Sequence, residues 1–235
     1  MTSSKLGLTE EITLVDIAPG ANPGSCLLSD NIIAINQTKH TFTMNRFIDF
    51  YSEMFGPDLY QEIFGVTKED IDSTNPDRKL HYKIGQVDDP DSIADAIEEV
   101  YRIKEAIRSN SKVWLLSNIY NAVGRTPKEA FWNLWIDEMY NLIGEKDLII
   151  ISGYNSDKLT KIFLESDHYE EVTKYLPNAV RNILKQPITA TFWSWMSTDS
   201  QYIQPLFSIR ILRKKKQNDN TSKPTISKRV IGVNI

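Results

Sequence analysis

Cysteine is almost missing from this chain. Among 235 residues there is one, Cys26, which excludes an internal disulfide framework and fits a reducing compartment. Histidine is scarce too. His40, His81 and His168 stand far apart from each other and from Cys26, so no metal-ligand spacing appears and no metal or other cofactor is expected. Nowhere does an apolar run approach the roughly 18 residues of a membrane span, and no charged-then-apolar leader opens the chain. The expectation is a soluble, cytoplasmic protein. An excess of positive charge is also lacking. With 27 Lys and Arg against 31 Asp and Glu the net charge is −4, so any nucleic-acid contact must come from a local patch. Nucleophile elbow, phosphate-binding loop and dinucleotide fingerprint are all absent. The carboxylates near His40, Asp88-Asp89, Asp91 and Glu98-Glu99 lack a paired spacing with lysine that would mark a nuclease. An enzyme is therefore the weakest of three function classes.

What the chain has is a core. Hydrophobic residues make up 41% of the sequence, enough for a single domain over residues 1–235. The segment AFWNLWIDEMYNLIGE (130–145) is its most unusual stretch. Phe131, Leu134, Trp135 and Leu142 form one helical stripe; Trp132, Ile136, Tyr140 and Ile143 form a second. Only Asn133, Asp137 and Asn141 make a polar line. A helix lying on one sheet needs an apolar stripe about 100° wide, and this one has roughly twice that. Either both faces are buried, or one faces a partner. Thr126-Pro127-Lys128-Glu129 reads as its capping box and Gly144 as its stop.

Elsewhere the pattern reads as follows. Residues 1–10 form a mobile lead and ITLVDIA (12–18) a strand. PGANPGS (19–25) is a Pro/Gly/Asn loop, and CLLSDNIIAIN (26–36) a second strand. Thr43 caps a helix, TMNRFIDFYSEMF. Residues 57–79 hold a short helix, LYQEIFG, and a polar loop. HYKIGQV (81–87) is a strand, 91–107 a helix and SKVWLLSN (111–118) a strand. DLIIISGY and LTKIFLES flank Asn155-Ser156-Asp157-Lys158, which reads as a hairpin turn. A helix over about 168–185 is kinked by Pro177. PITATFWSWMS (187–197) is a strand, with Trp193 and Trp195 on one face. LFSIRILRKKK is a strand ending in a basic cluster, and 217–224 a flexible loop. No regular βαβ alternation stands out, which argues for an antiparallel or mixed sheet with helices on one face.

Four of these motifs, in this order, resemble the eukaryotic translation initiation factor 4E family, which binds the 7-methylguanosine cap of mRNA. Thr43-Met44-Asn45-Arg46-Phe47-Ile48-Asp49-Phe50-Tyr51 is similar to that family's first helix, Thr-Val-x-x-Phe-Trp-x-x-Tyr. Lys112-Val113-Trp114-Leu115-Leu116 looks like its central strand. Leu134 to Glu145 keeps its Trp-to-Ile-Gly-Glu spacing, and Ser156-Asp157-Lys158 resembles its hairpin turn. The resemblance implies an α+β fold: a curved antiparallel sheet backed by three main helices, with an extra helical insertion around 52–80. It implies a divergent, non-enzymatic translation factor that binds capped mRNA. A scaffold of the factor 4G kind, or a repressor peptide, docks on a helical face made of Met44, Ile48, Ile136, Asp137 and Tyr140. Ile48 stands where the family has tryptophan.

At the cap site the chain departs from that pattern. A methylated, cationic purine needs aromatic planes, a carboxylate for the guanine edge, and cations for the phosphates. The first family tryptophan has no counterpart in the loop 19–25, and Lys104 stands at the second. Glu105 is the expected guanine reader and Tyr101 a substitute stacker. Lys112, Lys158 and Lys161 are carried over as phosphate contacts. Arg210 and Arg213 belong to a basic run that guides RNA or, equally, protects a sheet edge. The alternative is an interaction module that keeps the fold and the scaffold but not the cap.

Overall fold

The computed structural model describes residues 11–19, 29–64, 67–70, 73–117, 119–121, 128–154, 156–175 and 207–216. In these residues seven strands form one sheet in the order β3-β2-β1-β4-β5-β7-β6. They are β1 (Ile12–Ile17), β2 (Ile32–Asn36), β3 (Leu80–Ile84), β4 (Ser111–Ser117), β5 (Leu148–Tyr154), β6 (Tyr169–Glu171) and β7 (Phe207–Lys214). Five helices accompany them: α1 (Thr38–Phe55), α2 (Pro57–Phe64), α3 (Pro90–Ile103), α4 (Lys128–Met139) and α5 (Ser156–Glu165).

A mixture of helices with one large sheet agrees with the sequence. The antiparallel platform does not. β1–β2, β1–β4, β2–β3 and β4–β5 all pair parallel; only β7 runs against its neighbours β5 and β6. The physical reason lies in the strands. β2 is buried at all five positions, as are the last five of β1. Strands covered on both faces read as continuous apolar runs, and parallel sheets are built of such strands.

Helices lie on both faces rather than one. Alternation along β1 separates them: Leu14 packs with Ile32, Leu80, Tyr82 and Ile48 of α1. Val15 and Ile17 pack with residues of α3, α4 and α5. Right-handed crossovers explain the split. The chain steps one way from β1 to β3, then the other way through β4 and β5, and each direction puts its helices on opposite faces.

α3 shows how locally this is written. Asp89 caps it, accepting from Ser92 N at 3.4 Å, and Pro90 occupies the first turn. Ile93, Ala96, Ile97, Val100 and Tyr101 make one buried stripe, worth about 1.5–3 kcal/mol for each large apolar side chain. α4 settles why residues 130–145 are apolar nearly all round. Phe131, Trp132, Trp135, Ile136 and Met139 are all buried, and Trp132 packs edge-on against Trp135 at 5.4 Å. Trp135 Nε1 donates to Val87 O at 3.0 Å. Only Leu134 stands out, 64% exposed.

Other boundaries move. α4 ends at Met139, ahead of the stop expected at Gly144, because Gly144 N donates instead to Asp147 Oδ2 at 2.8 Å. α1 begins at Thr38, one turn before the expected cap at Thr43. Ser156-Asp157-Lys158, expected in a hairpin turn, opens helix α5 instead, and Leu159, Ile162 and Phe163 bury one helical face; Asn155 lies outside the described residues. The start of the helix expected over 168–185 is strand β6 and a 3-10 turn, Thr173–Tyr175. Helices do occupy the insertion around 52–80, at the end of α1 and in α2. The lead 1–10, the capping residues Thr126 and Pro127, the strand 187–197 with Trp193 and Trp195, and the loop 217–224 lie outside the described residues.

Candidate functional site at the carboxyl edge of the sheet

In an open, mainly parallel sheet, ligands bind outside the carboxyl ends of the strands, where the strand order reverses. Here that point falls between β1 and β4, which pair directly. β1 delivers Asp16, 6% exposed, to this edge and then turns sharply, with Ala18 at φ 57. A non-glycine residue held there is uncommon and marks a tight turn at the head of the PGANPGS loop. β2 ends in Asn36, 1% exposed, whose Nδ2 donates to Tyr82 Oη at 2.8 Å. Burial pushes the Tyr82 phenol up to about 12; the Asn36 bond pulls it down and the Asp16 charge raises it, so it stays protonated at neutral pH. After β3, Gly85 sits so close to β2 that a Cβ would come within 2.6 Å of Ile35 Cγ2.

Beside this edge is a depression of about 420 Å³. Phe131, Leu134 and Trp135 give it an apolar side; Gln86, Asp88, Asp89, Asp91 and Glu138 give it an acidic rim. The Glu138 carboxyl is raised above the usual range by partial burial and by the charges of Asp91, Asp89 and Asp137. That shift reports a negative local potential. Arg102 shares a second pocket with Asp89 and Asp91.

The β4–β5 half of the edge differs. Ser117 Oγ and Ser152 Oγ share a hydrogen bond of 2.8 Å. The turn after β4 places Tyr120, and Lys128 and Lys158, from the first turns of α4 and α5, both lie over its ring, at 5.8 and 6.0 Å. Lys158 was expected as a phosphate contact; Lys128 and Tyr120 were not.

The other expected site residues do not meet here. Tyr101, Lys104 and Glu105 lie at the far end of α3 and in the 3-10 turn Glu105–Ser109, at the amino edge. The ring of Tyr101 is 8% exposed and already carries Arg108 at 4.7 Å and Lys112 at 5.4 Å, so no base stacks on it. Glu105 pairs with Arg108 at 3.0 Å. Lys112 begins β4 and Lys158 follows β5, which sets them a strand length apart, about 17–20 Å. Lys161 pairs with Glu165, Arg210 with Asp157 and Glu171, and Arg213 with Glu170.

The docking face breaks up in the same way. Ile48 and Ile136 are buried on opposite sides of the sheet, at 6% and 0% exposure. Asp137 faces His168 at 3.6 Å, and Lys214 covers the ring of Tyr140 at 3.6 Å. Met44 lies in α1, and its side chain is outside the described residues.

No protein-family model matches the chain, and no curated protein matches it.

The sequence reading passes over Asp16 and Asn36, and weighs Asp88-Asp89 only as part of a nuclease site. A signal for them existed. An apolar strand with Asp16 next to its last residue leads into a segment of two prolines and two glycines, the strand-to-turn transition that opens a doubly wound nucleotide fold. The spacing lacks the full glycine fingerprint, so the loop reads on its own as a simple connection.

Proposed function

We propose that this chain binds a cationic nucleoside cofactor of the S-adenosylmethionine type at the carboxyl ends of β1–β3, and is a methyl-transferring enzyme. The observation that carries the reading is the clustered acidic rim of the depression, Asp88, Asp89, Asp91 and Glu138, beside the carboxyl edge. Doubly wound sheets take nucleotides there, on a glycine loop and a helix N-terminus suited to phosphate. Among the described side chains, this edge offers Asp16, Asp88, Asp89, Asp91 and Glu138 instead. Such a rim repels a pyrophosphate and attracts a positively charged nucleoside.

The donor set fits that group. Asn36 ends β2, where nucleotide-binding folds of this kind hold the ribose. Asp16 and the carboxylates after β3 suit hydroxyl and amino hydrogens, and the apolar side of the depression suits a purine face. When bound, S-adenosylmethionine supplies an electrophilic methyl group. The chain's own contribution is to orient the nucleoside between Asn36 and the segment 86–91. The strand order, with one reversed strand between β5 and β6, is also that of the methyltransferases that use this cofactor, which is support by analogy of fold.

Binding of capped mRNA with a factor 4G-like partner loses its footing. It needs an antiparallel platform, an open aromatic beside Glu105 and a continuous docking face, and the chain pairs, covers and separates these parts as described above.

Calorimetric titration tests the reading. S-adenosylmethionine is expected to bind at micromolar concentration, at least tenfold more tightly than ATP, and Asp16→Asn to weaken it about tenfold with an unchanged circular dichroism spectrum. Equal or tighter binding of ATP, or no binding of S-adenosylmethionine, overturns it.

A further inference from the structure

Away from the carboxyl edge, the junction of α1 and α2 exposes an apolar surface that the fold does not use. From its clustered aromatic side chains and acidic rim, we infer that this surface docks a basic amphipathic helix of a partner protein. The inference does not rest on the cofactor reading. Phe50, where the surface begins, lies about 18 Å along α1 from Thr38, the residue that starts the helix beyond β2.

Eight large apolar side chains stand exposed among the described residues, and four of them fall within ten consecutive positions: Phe50, Met54, Phe55 and Leu59. Apolar residues exposed singly are ordinary; a group of them marks an interaction surface. Phe50 and Met54, each 55% exposed, stand one turn apart on α1 and form a ridge of the kind that another helix packs against. Tyr51 between them is half-buried on the core beneath α1. It holds the exposed rings in place, edge-on to Phe50 at 5.2 Å and stacked on Phe55 at 5.7 Å and 22°. Rings fixed in this way lose little freedom on binding. Charge selects the occupant. Residues 47–64 hold Asp49, Glu53, Asp58 and Glu62 and no lysine or arginine, so this short stretch carries as much charge as the whole chain, −4. All four carboxylates are exposed. Lys68 holds Asp49 at 2.6 Å; the other three have no ion pair among the described residues. A helix that flanks its apolar stripe with lysine or arginine matches this rim, whereas an anionic membrane surface or a nucleic acid is repelled. A second copy fits poorly as well. A two-fold contact sets the acidic rim against itself, and the basic run at the other end of the sheet is engaged, Arg213 with Glu170 and Lys215 with Asp167.

Two synthetic amphipathic helices of about 18 residues serve as probes, both with leucine at i, i+3, i+4 and i+7. One carries lysine on the flanks of that stripe, the other glutamate. Fluorescence anisotropy with the full chain is expected to show the lysine peptide binding at least about tenfold more tightly than the glutamate peptide, and weakening as salt is raised. Phe50→Ala together with Met54→Ala is expected to weaken it at least about tenfold, and Leu164→Ala, an exposed apolar residue elsewhere, less than about twofold. Glu53→Lys, Asp58→Lys and Glu62→Lys combined are expected to invert the preference between the two peptides. All these side chains are exposed, and circular dichroism confirms that the variants fold. Failure of the lysine peptide to bind, equal binding of the two peptides, or an alanine pair that binds as tightly as the parent overturns the inference. Sedimentation velocity on the chain alone tests the other occupant. The parent is expected to sediment as one species whose size the alanine pair leaves unchanged; an association that the pair dissolves gives the surface to a second copy and overturns the inference.

Discussion

The two edges of the sheet treat their charges differently. At the amino edge Asp147, Arg108, Lys112 and Lys214 have partners within the chain. Asp147, 4% exposed, accepts from Lys112 N at 2.9 Å, Trp114 Nε1 at 3.0 Å and Gly144 N at 2.8 Å. Arg108 forms a two-pronged contact with Glu98 at 3.1 and 3.0 Å and a third with Glu105. Lys214 donates to the carbonyls of Tyr140 and Ile143, at 2.8 and 3.3 Å. At the carboxyl edge Asp89, Asp91 and Glu138 gather like charges instead. Self-satisfied charges hold a fold together; charges arranged against each other are kept for something that arrives from outside.

The largest expected effect lies at the amino edge. Asp147→Ala leaves two backbone N–H groups and one indole N–H without their acceptor in a buried place. That costs about 3–5 kcal/mol, read as a fall in the urea midpoint. If the edges are as distinct as the charge pattern says, the variant that still folds binds S-adenosylmethionine within about twofold of the parent. A large loss of affinity with little loss of stability would reverse the assignment of the two edges.

Next comes His81 in β3. Its ring is 1% exposed, and neither nitrogen has a hydrogen-bond partner. Burial, and then the charges of Lys104 and Lys83, lower it from 6.5 to about 4. The folded state therefore resists a proton that the unfolded state takes up below pH 6.5. Stability is full above that pH and falls as pH drops from 6.5 towards 4, by up to about 3 kcal/mol. Denaturation at pH 7 and pH 4.5 measures the fall, and His81→Phe is expected to remove most of it. An equal fall in the variant would locate the acid sensitivity elsewhere.

Most of the elements up to β5 are legible in the sequence, but LTKIFLES and the segment from 168 change type, and the pairing of the strands is not legible. ITLVDI, IIAIN, LHYKI, SKVWLLS and FSIRILRK all become strands, and the helices over 91–107 and 130–145 form with modest boundary shifts. β-propensity and helical period are local properties, and a sequence displays them. Which strand lies beside which is a long-range choice. The unbroken apolar burial of β2 was the available clue to a parallel sheet. The lack of regular βαβ alternation points to an antiparallel or mixed sheet, and the turn chemistry of Asn155-Ser156-Asp157-Lys158 hides a helix, because turn residues serve equally as a helix start. The Trp-to-Gly spacing of 135–144 was equally ambiguous. Burial of Trp135 against Val87 and Phe163 accounts for it without an external partner. Lys158 lies beside Lys128 and Tyr120, and proximity of that kind appears only once the chain is folded.

The smallest effect is expected at the residue on which the first reading leaned most. Glu105 contacts Arg108 with a side chain that is 71% exposed, and Arg108 keeps Glu98 as its two-pronged partner when Glu105 is removed. An exposed pair of this kind contributes well under about 1 kcal/mol. Glu105→Ala is expected to shift the urea midpoint by less than about 0.5 kcal/mol and to leave S-adenosylmethionine binding unchanged. The same variant separates the edges as functional surfaces. Retention of the parent on 7-methylguanosine resin, with elution by free cap analogue and loss in Glu105→Ala, would make the amino edge a ligand site, and a fully paired edge would then no longer mean a structural one. Equal behaviour of parent and variant on that resin leaves ligand chemistry with the carboxyl edge.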